Sequence, residues 1–311
     1  MNVIEKPRFE LRFLLPKYWL TWLSVGILYT ISWLPYSWQL GMGRVLGRLF
    51  YRFVPRRAHI ARRNLELCFP DKSADEIEEL VKKNLENTGI AFFETGMAWW
   101  VPDWRIRRTL HVSGVEHLKA AQRDGKGVLL LLFHFLSLEV HARLHGFVQP
   151  AVGLYRPHNN AVMEFLQTRG RGRSNKYLIP RTDVRSMLEA LNRGEIAGYL
   201  PDQDYGRKRT VFAPLFAVEH ASTTTGTLLF ASNANCSVVP VTCFRRDDGR
   251  GYDMTFYPAF DNFPTGDDVA DVTRINRMIE FAIQQKPDQY MWIHRRFKTR
   301  PNQDDPDLYQ S

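Results

Sequence analysis

His134 and Glu139, five residues apart in HFLSLE, are the side chains whose types and spacing best suit chemistry. They follow Gly127 to Phe133, GVLLLLF, a continuous apolar run of the kind that forms a strand buried on both faces. Ligands of α/β folds sit beyond the carboxyl ends of such strands. On one continuous helix, side chains five apart point ~140° away from each other. The two can meet only if His134 lies in the strand-to-helix turn and Glu139 on the helix. In that arrangement Glu139 would fix the tautomer of an imidazole base and stabilise the imidazolium.

Other charged groups also fall just after apolar runs. Arg169, Arg171, Arg173 and Lys176 interleave with glycines in TRGRGRSNK, where an anion could approach the backbone closely. Arg156 follows a strand-like stretch in GLYRP and is a further binding candidate. Asp202 and Asp204 form a DxD in YLPDQDYG, which suits either a turn or a metal-bound nucleotide diphosphate. His141 and His145 have i,i+4 spacing, but no HExxH and no third ligand accompany them, so no metal is assigned. GxSxG and GxxxxGK[ST] are absent, and Gly41, Gly43 and Gly47 have the wrong spacing for a dinucleotide loop. No cofactor is implied. Cys68, Cys236 and Cys243 are too few and too scattered for a disulfide framework, which indicates a reducing compartment.

These candidates need a scaffold. Strands are expected at Gly127–Phe133, Ala151–Tyr155, Ala197–Leu200 and Ser237–Phe244. Helices are expected near 136–145, 160–167, 182–192, 223–233 and 269–285. The alternation predicts an α/β fold, a mixed central sheet with helices on both faces. Ser73 and Glu76 form a capping box ahead of an amphipathic helix with Ile77, Leu80, Val81 and Leu85 on one face. Ile90 to Val101, IAFFETGMAWWV, is apolar enough to be core or the wall of a greasy groove. Glu94 inside it is either a helix-end hydrogen-bonding group or a site residue.

Tyr18 to Gly43 carries no charge, and Tyr18 to Leu34 is strongly apolar with tryptophans near its ends. It reads as a membrane-inserted helix, spanning or embedded, and not as a signal peptide. Arg44, Arg48, Arg52, Arg56, Arg57, Arg62 and Arg63 follow before any acid appears. Such a face suits anionic headgroups, and the excess of bases after the anchor places the bulk of the chain in the cytosol. The expected organisation is a basic lead at 1–17, an anchor helix at 18–38, a catalytic domain at 39–301 and a polar, frayed tail at 302–311. The 311 residues include 42 Lys plus Arg against 33 Asp plus Glu, a formal charge of +9, and 31 of the bases are arginine. The charge points to anionic partners, and a mean hydropathy of −0.32 excludes a multi-span transporter.

At this level the chain resembles the membrane-bound lipid A late acyltransferases, relatives of the His-x4-acid acyltransferases. The blocks that carry the likeness are HFLSLE, GLYRPHNN, QTRGRGRSNK, PDQDYG, FAPLFAVEHASTTTG and QYMWIHRRFKTRP, with NLELCFP and ETGMAWW also fitting. They run in order from Pro16 to Pro301, and the lauroyltransferase-like and palmitoleoyltransferase-like branch fits best. The resemblance implies a lysophospholipid-acyltransferase-like fold at the inner membrane, facing the cytoplasm. It implies transfer of a fatty acyl chain, roughly C12–C16 with length set by groove depth, from acyl carrier protein to a Kdo-bearing lipid A precursor. It makes His134 and Glu139 the catalytic pair, with Arg171 and Asp202 supporting. Arg169, Arg173 and Arg156 are neighbours that could hold phosphate or carboxylate. The partners implied are the carrier protein, the lipid precursor and an anionic membrane surface, not nucleic acid. The rival readings are a metal-dependent glycosyltransferase using Asp202-x-Asp204 and a non-enzymatic, membrane-anchored basic binding protein.

Overall fold

The computed structural model describes residues 1–310. Four helices come first: α1 (Trp19–Ser32), α2 (Tyr36–Phe53), α3 (Pro55–Cys68) and α4 (Ala74–Trp100). The short α5 (Asp103–Arg107) leads into β1 (Leu110–Ser113), α6 (Val115–Ala121), β2 (Gly127–Leu131) and α7 (Leu138–Val148). Then come β3 (Val152–Tyr155), α8 (Ala161–Arg171), β4 (Tyr177–Pro180), α9 (Val184–Asn192) and β5 (Ile196–Tyr199). A hairpin of β6 (Thr210–Leu215) and β7 (Val218–Thr224) precedes α10 (Gly226–Asn233), β8 (Cys236–Arg245), β9 (Tyr252–Phe256) and α11 (Asp268–Gln285).

The main sheet has seven strands in the order β1-β9-β8-β2-β5-β3-β4. Only β8 and β9 pair antiparallel, so the sheet is mixed as the sequence predicts. β2 is central and all five of its residues are buried. Leu129 and Leu131 face a core shared with α3, α9, α10 and α11. Val128 and Leu130 face the opposite core, with Val140 and Leu144 of α7. Burial on both faces is why its sequence is a continuous apolar run. The strands β1, β4, β6, β7 and β9 carry weaker patterns, and the sequence expectations do not include them.

The single helix expected over 18–38 is corrected by the structure, and with it the spanning form of the anchor. The chain breaks at Pro35, leaving α1 with 14 residues. That is about 21 Å of helix against a hydrocarbon core of ~30 Å. Among the described residues no helix is long and apolar enough to cross a membrane. Val25, Leu28 and Ile31 of α1 are buried, with Leu28 and Ile31 packed beside Phe93 of α4. The expected frayed tail is also corrected. Tyr309 is buried, and its hydroxyl pairs with Asn64 and accepts from the Phe297 N–H at 2.9 Å.

Ser73 caps α4 through the expected reciprocal bonds with Glu76. Its apolar half, Ile90 to Trp100, is mostly core. Glu94 is buried mid-helix and serves neither a helix end nor the site. It pairs with Arg245 (2.7 and 2.8 Å) and accepts from the hydroxyls of Tyr36 and Tyr252. Burial would raise its carboxyl, but the Arg245 guanidinium outweighs that and holds it below the ordinary range. Gly43 and Gly47 let α2 lie directly on α4. A Cβ on Gly47 would come within 2.2 Å of the Leu85 carbonyl oxygen, and one on Gly43 within 2.5 Å of Ile90 Cα.

Candidate active site

β2 and β5 run parallel with Leu131 opposite Tyr199. His134 and Asp202 each lie three residues past that registered pair, on the turns that leave the two strands. The register therefore sets them side by side. Asp202 Oδ1 lies 2.7 Å from His134 Nδ1, and Oδ2 accepts from the His134 backbone N–H, also at 2.7 Å. Asp202 is completely buried while His134 keeps partial exposure. Burial pushes the Asp202 carboxyl up, but the His134 imidazole and its two hydrogen bonds outweigh this, and the carboxyl lies below its usual range. A buried carboxylate on Nδ1 fixes the tautomer with Nε2 unprotonated, the form that can take a proton.

The expected contact between Glu139 and His134 does not form. Glu139 opens α7 and turns away from the imidazole. Its Oε1 accepts from Arg171 Nε at 3.0 Å and from Arg171 Nη2, and its Oε2 accepts from the Trp99 indole N–H at 2.9 Å. Asp202, expected only in a supporting role, is the residue that holds the histidine. The acid of the His-x4-Glu motif thus holds the arginine. Sequence spacing could not reveal the exchange, because it depends on strand register and on where α8 ends.

Of the three arginines around α8, only Arg171 reaches Glu139. Arg173 donates to the Trp99 carbonyl and to Asp103, and the Arg169 guanidinium lies 4.6 Å from the Phe165 ring centroid. Burial would lower the Arg171 pKa, but Glu139 and its hydrogen bonds raise it above the usual value. The interleaved glycines face packed neighbours, Gly170 the Trp99 indole and Gly172 the Lys6 side chain. A Cβ on Gly170 would strike Trp99 Cγ at 2.4 Å, so this glycine admits an indole. Arg156 lies just past β3 on the surface, with no ion-pair partner among the described residues. An apolar cavity bordered by Leu132, Leu138, Leu154 and Leu200 opens beside Glu139 and Arg171.

The C-terminal block runs against the same turns. Met291 N–H donates to the His134 carbonyl (2.9 Å) and Leu136 N–H to the Gln289 carbonyl (2.9 Å). Tyr290 donates its hydroxyl to the Asp202 carbonyl at 3.2 Å. These contacts give QYMWIHRRFKTRP a place in the site that its sequence alone did not show. Of the two alternatives for the DxD, the structure favours the turn over the metal site. Asp202 is engaged by His134, and both Asp204 oxygens accept from Thr299, from its N–H and its hydroxyl, at 2.7 Å each. Among the described residues no three His, Cys, Asp or Glu side chains gather as metal ligands. His141 and His145 are buried on α7, and the Nε2 of each lacks a partner.

The fold is α/β, with a carboxylate-oriented imidazole just past the end of a central strand and an ion-paired arginine beside an apolar cavity. Residues 6–299 match the family described as bacterial lipid A biosynthesis acyltransferase, and the chain belongs to that family. It is similar to the lipid A biosynthesis lauroyltransferase of Escherichia coli (strain K12), with 46% identity over 95% of this chain and 96% of the relative. The palmitoleoyltransferase of the same organism is 45% identical over 94% and 96%. A lipid A biosynthesis acyltransferase of Haemophilus influenzae is 45% identical over 97% and 98%. The chain is accordingly an acyltransferase of lipid A biosynthesis, which excludes the non-enzymatic alternative.

Proposed function

We propose that the protein moves a lauroyl-to-palmitoleoyl-sized chain from acyl carrier protein to a hydroxyl of a Kdo-bearing lipid A precursor, with His134 as general base. The observation that carries the reading is the His134–Asp202 pair, in a chain of this family. His134 Nε2 removes the acceptor hydroxyl proton. The alkoxide oxygen bonds to the thioester carbonyl carbon, giving a tetrahedral oxyanion. The C–S bond then breaks, and the departing thiolate takes the proton from the imidazolium. No acyl-enzyme is needed, because a thioester is already activated. The base accounts for roughly 10²–10⁴ in rate. Arg171, held in place by Glu139, presents fixed positive charge beside the cavity in which the acyl chain lies.

The same reading attaches the enzyme to the inner membrane in the plane of its cytoplasmic surface. Trp19, Leu20, Leu23 and Ile27 of α1 and Trp38, Val45, Leu49 and Phe53 of α2 are exposed, with Arg44, Arg48 and Arg52 also on the surface of α2. Apolar side chains near the acyl boundary with arginines at headgroup level describe an embedded amphipathic pair. The test supplies carrier protein loaded with single acyl chains and a tetraacylated, Kdo-bearing precursor, read by mass spectrometry. The expected product is heavier by one acyl group. Absence of any acylated product with every chain length overturns the reading.

A further inference from the structure

The turn after β5 and the C-terminal segment carry more positive charge than His134 and its partner use. Arg207, Lys208 and Arg209 stand on the turn, and Arg295, Lys298 and Arg300 on the segment. Between them lies a cleft of about 500 Å³ lined by Arg207, Arg295, Lys298, Thr299 and Arg300. Of its acids, Asp307 is taken up by Arg295 (2.5 and 2.7 Å), and Asp305 accepts from the Asn302 N–H at 2.9 Å. Arg207, Lys298 and Arg300 form no ion pair among the described residues, and Arg300 Nε is buried without a partner. Arg207 spans the cleft by donating to the Pro301 carbonyl at 2.7 Å.

The cleft is tied to the base. Asp204, which grips Thr299 with both oxygens, is two residues from Asp202, which grips His134. Guanidinium groups at several depths in a concavity suit bidentate recognition of phosphate or carboxylate. A cleft of about 500 Å³ matches the size of a small, multiply charged headgroup rather than the ~800 Å² face of a protein partner.

We infer that this cleft is an anion subsite that binds a phosphate or carboxylate group on the sugar headgroup of the acceptor. The inference rests on the acyltransferase reading above. The two unlike ends of the reaction thereby receive unlike surroundings: the acyl chain the apolar cavity by Arg171, the charged headgroup the basic cleft by Thr299. Arg207 and Lys298 are exposed, so removing their charge disturbs no core packing and breaks only the Arg207 bond to the Pro301 carbonyl.

The test uses the full chain in detergent and the double variant Arg207→Glu/Lys298→Glu, with Arg123→Gln as a remote loss of charge. Acceptor is varied at saturating donor, and donor at saturating acceptor. In the double variant the acceptor KM should rise about 10-fold or more, the donor KM should hold, and kcat should change far less. A rise in donor KM alone would assign the cleft to the carrier protein and overturn the inference, as would no change in either KM. Calorimetry with inorganic pyrophosphate supplies a readout free of turnover. Binding by the unmodified chain and by Arg123→Gln, but not by the double variant, supports the subsite. Equal binding by all three, or none by the unmodified chain, rejects it. If the unmodified chain transfers no acyl group, the acyltransferase reading fails, and the pyrophosphate titration still decides the subsite.

Discussion

Asp202 holds His134 at two points, the ring Nδ1 through Oδ1 and the backbone N–H through Oδ2, each at 2.7 Å. One carboxylate thus fixes both the position of the turn and the orientation of the ring it presents.

Asp202→Asn keeps the shape and can keep one backbone contact, but it permits the wrong imidazole tautomer. The expected loss in kcat is about 10²–10⁴-fold with little change in KM, the scale of general-base help. His134→Ala should lose at least as much while still giving a cooperative melt. Steady-state kinetics and thermal melting check both variants. Full activity in Asp202→Asn would remove the aspartate from the mechanism.

Glu139 acts on Arg171 and not on His134, so its substitution should be coupled to Arg171. In a double-mutant cycle of Glu139→Gln and Arg171→Gln, the two losses in kcat/KM should fall short of additive by about 1 kcal/mol or more. Arg171→Lys should not restore activity, because an ammonium cannot reproduce the paired guanidinium geometry. A cycle that is strictly additive contradicts the ion pair as a working unit.

His141 and His145 are buried neutral on α7, and burial pulls their pKa values down to about 3 and about 4. Unfolded histidines take up protons near ~6.5. The unfolded chain therefore binds more protons than the folded one below that value. Stability is present in full above roughly 6.5 and falls as pH drops toward 4. Denaturant unfolding across that window should show the decline, and His145→Gln should reduce its slope by about one proton. A slope unaltered in that variant would show that the ring is not excluded from water.

Gly47 is where α2 meets α4. Gly47→Ala puts a methyl group against backbone that cannot withdraw, so it should destabilise the chain by roughly 1–3 kcal/mol or more. The melting temperature should drop. Gly26, whose Cβ would meet nothing within 4 Å, is the matched control, and Gly26→Ala should melt at or slightly above the unmodified chain.

Much was legible in the sequence because it is written locally. The apolar run of β2, the capping box at Ser73 and the alternation of strands and helices are each encoded within a few residues. So is the position of His134, immediately past a buried strand. The ordered motif blocks sufficed for the family. The length of the N-terminal helix was not legible in hydropathy, which does not register the break that Pro35 makes in an otherwise uncharged stretch.

Which carboxylate serves which partner was decided only by tertiary structure. Asp202 is 68 residues from His134 in the chain, and the two meet because Leu131 is registered opposite Tyr199 in adjacent parallel strands. Glu139, only five residues from His134, is drawn off by Arg171 at the end of α8 and by the Trp99 indole on α4. Gly170 of GRGR makes room for that indole through a helix contact that spacing cannot express. The sequence by itself determined the kinds of groups at the site and the strand end that carries His134. Their pairing had to await the packing of the sheet, because hydrogen bonds of about 3 Å depend on distances between elements that no single segment encodes.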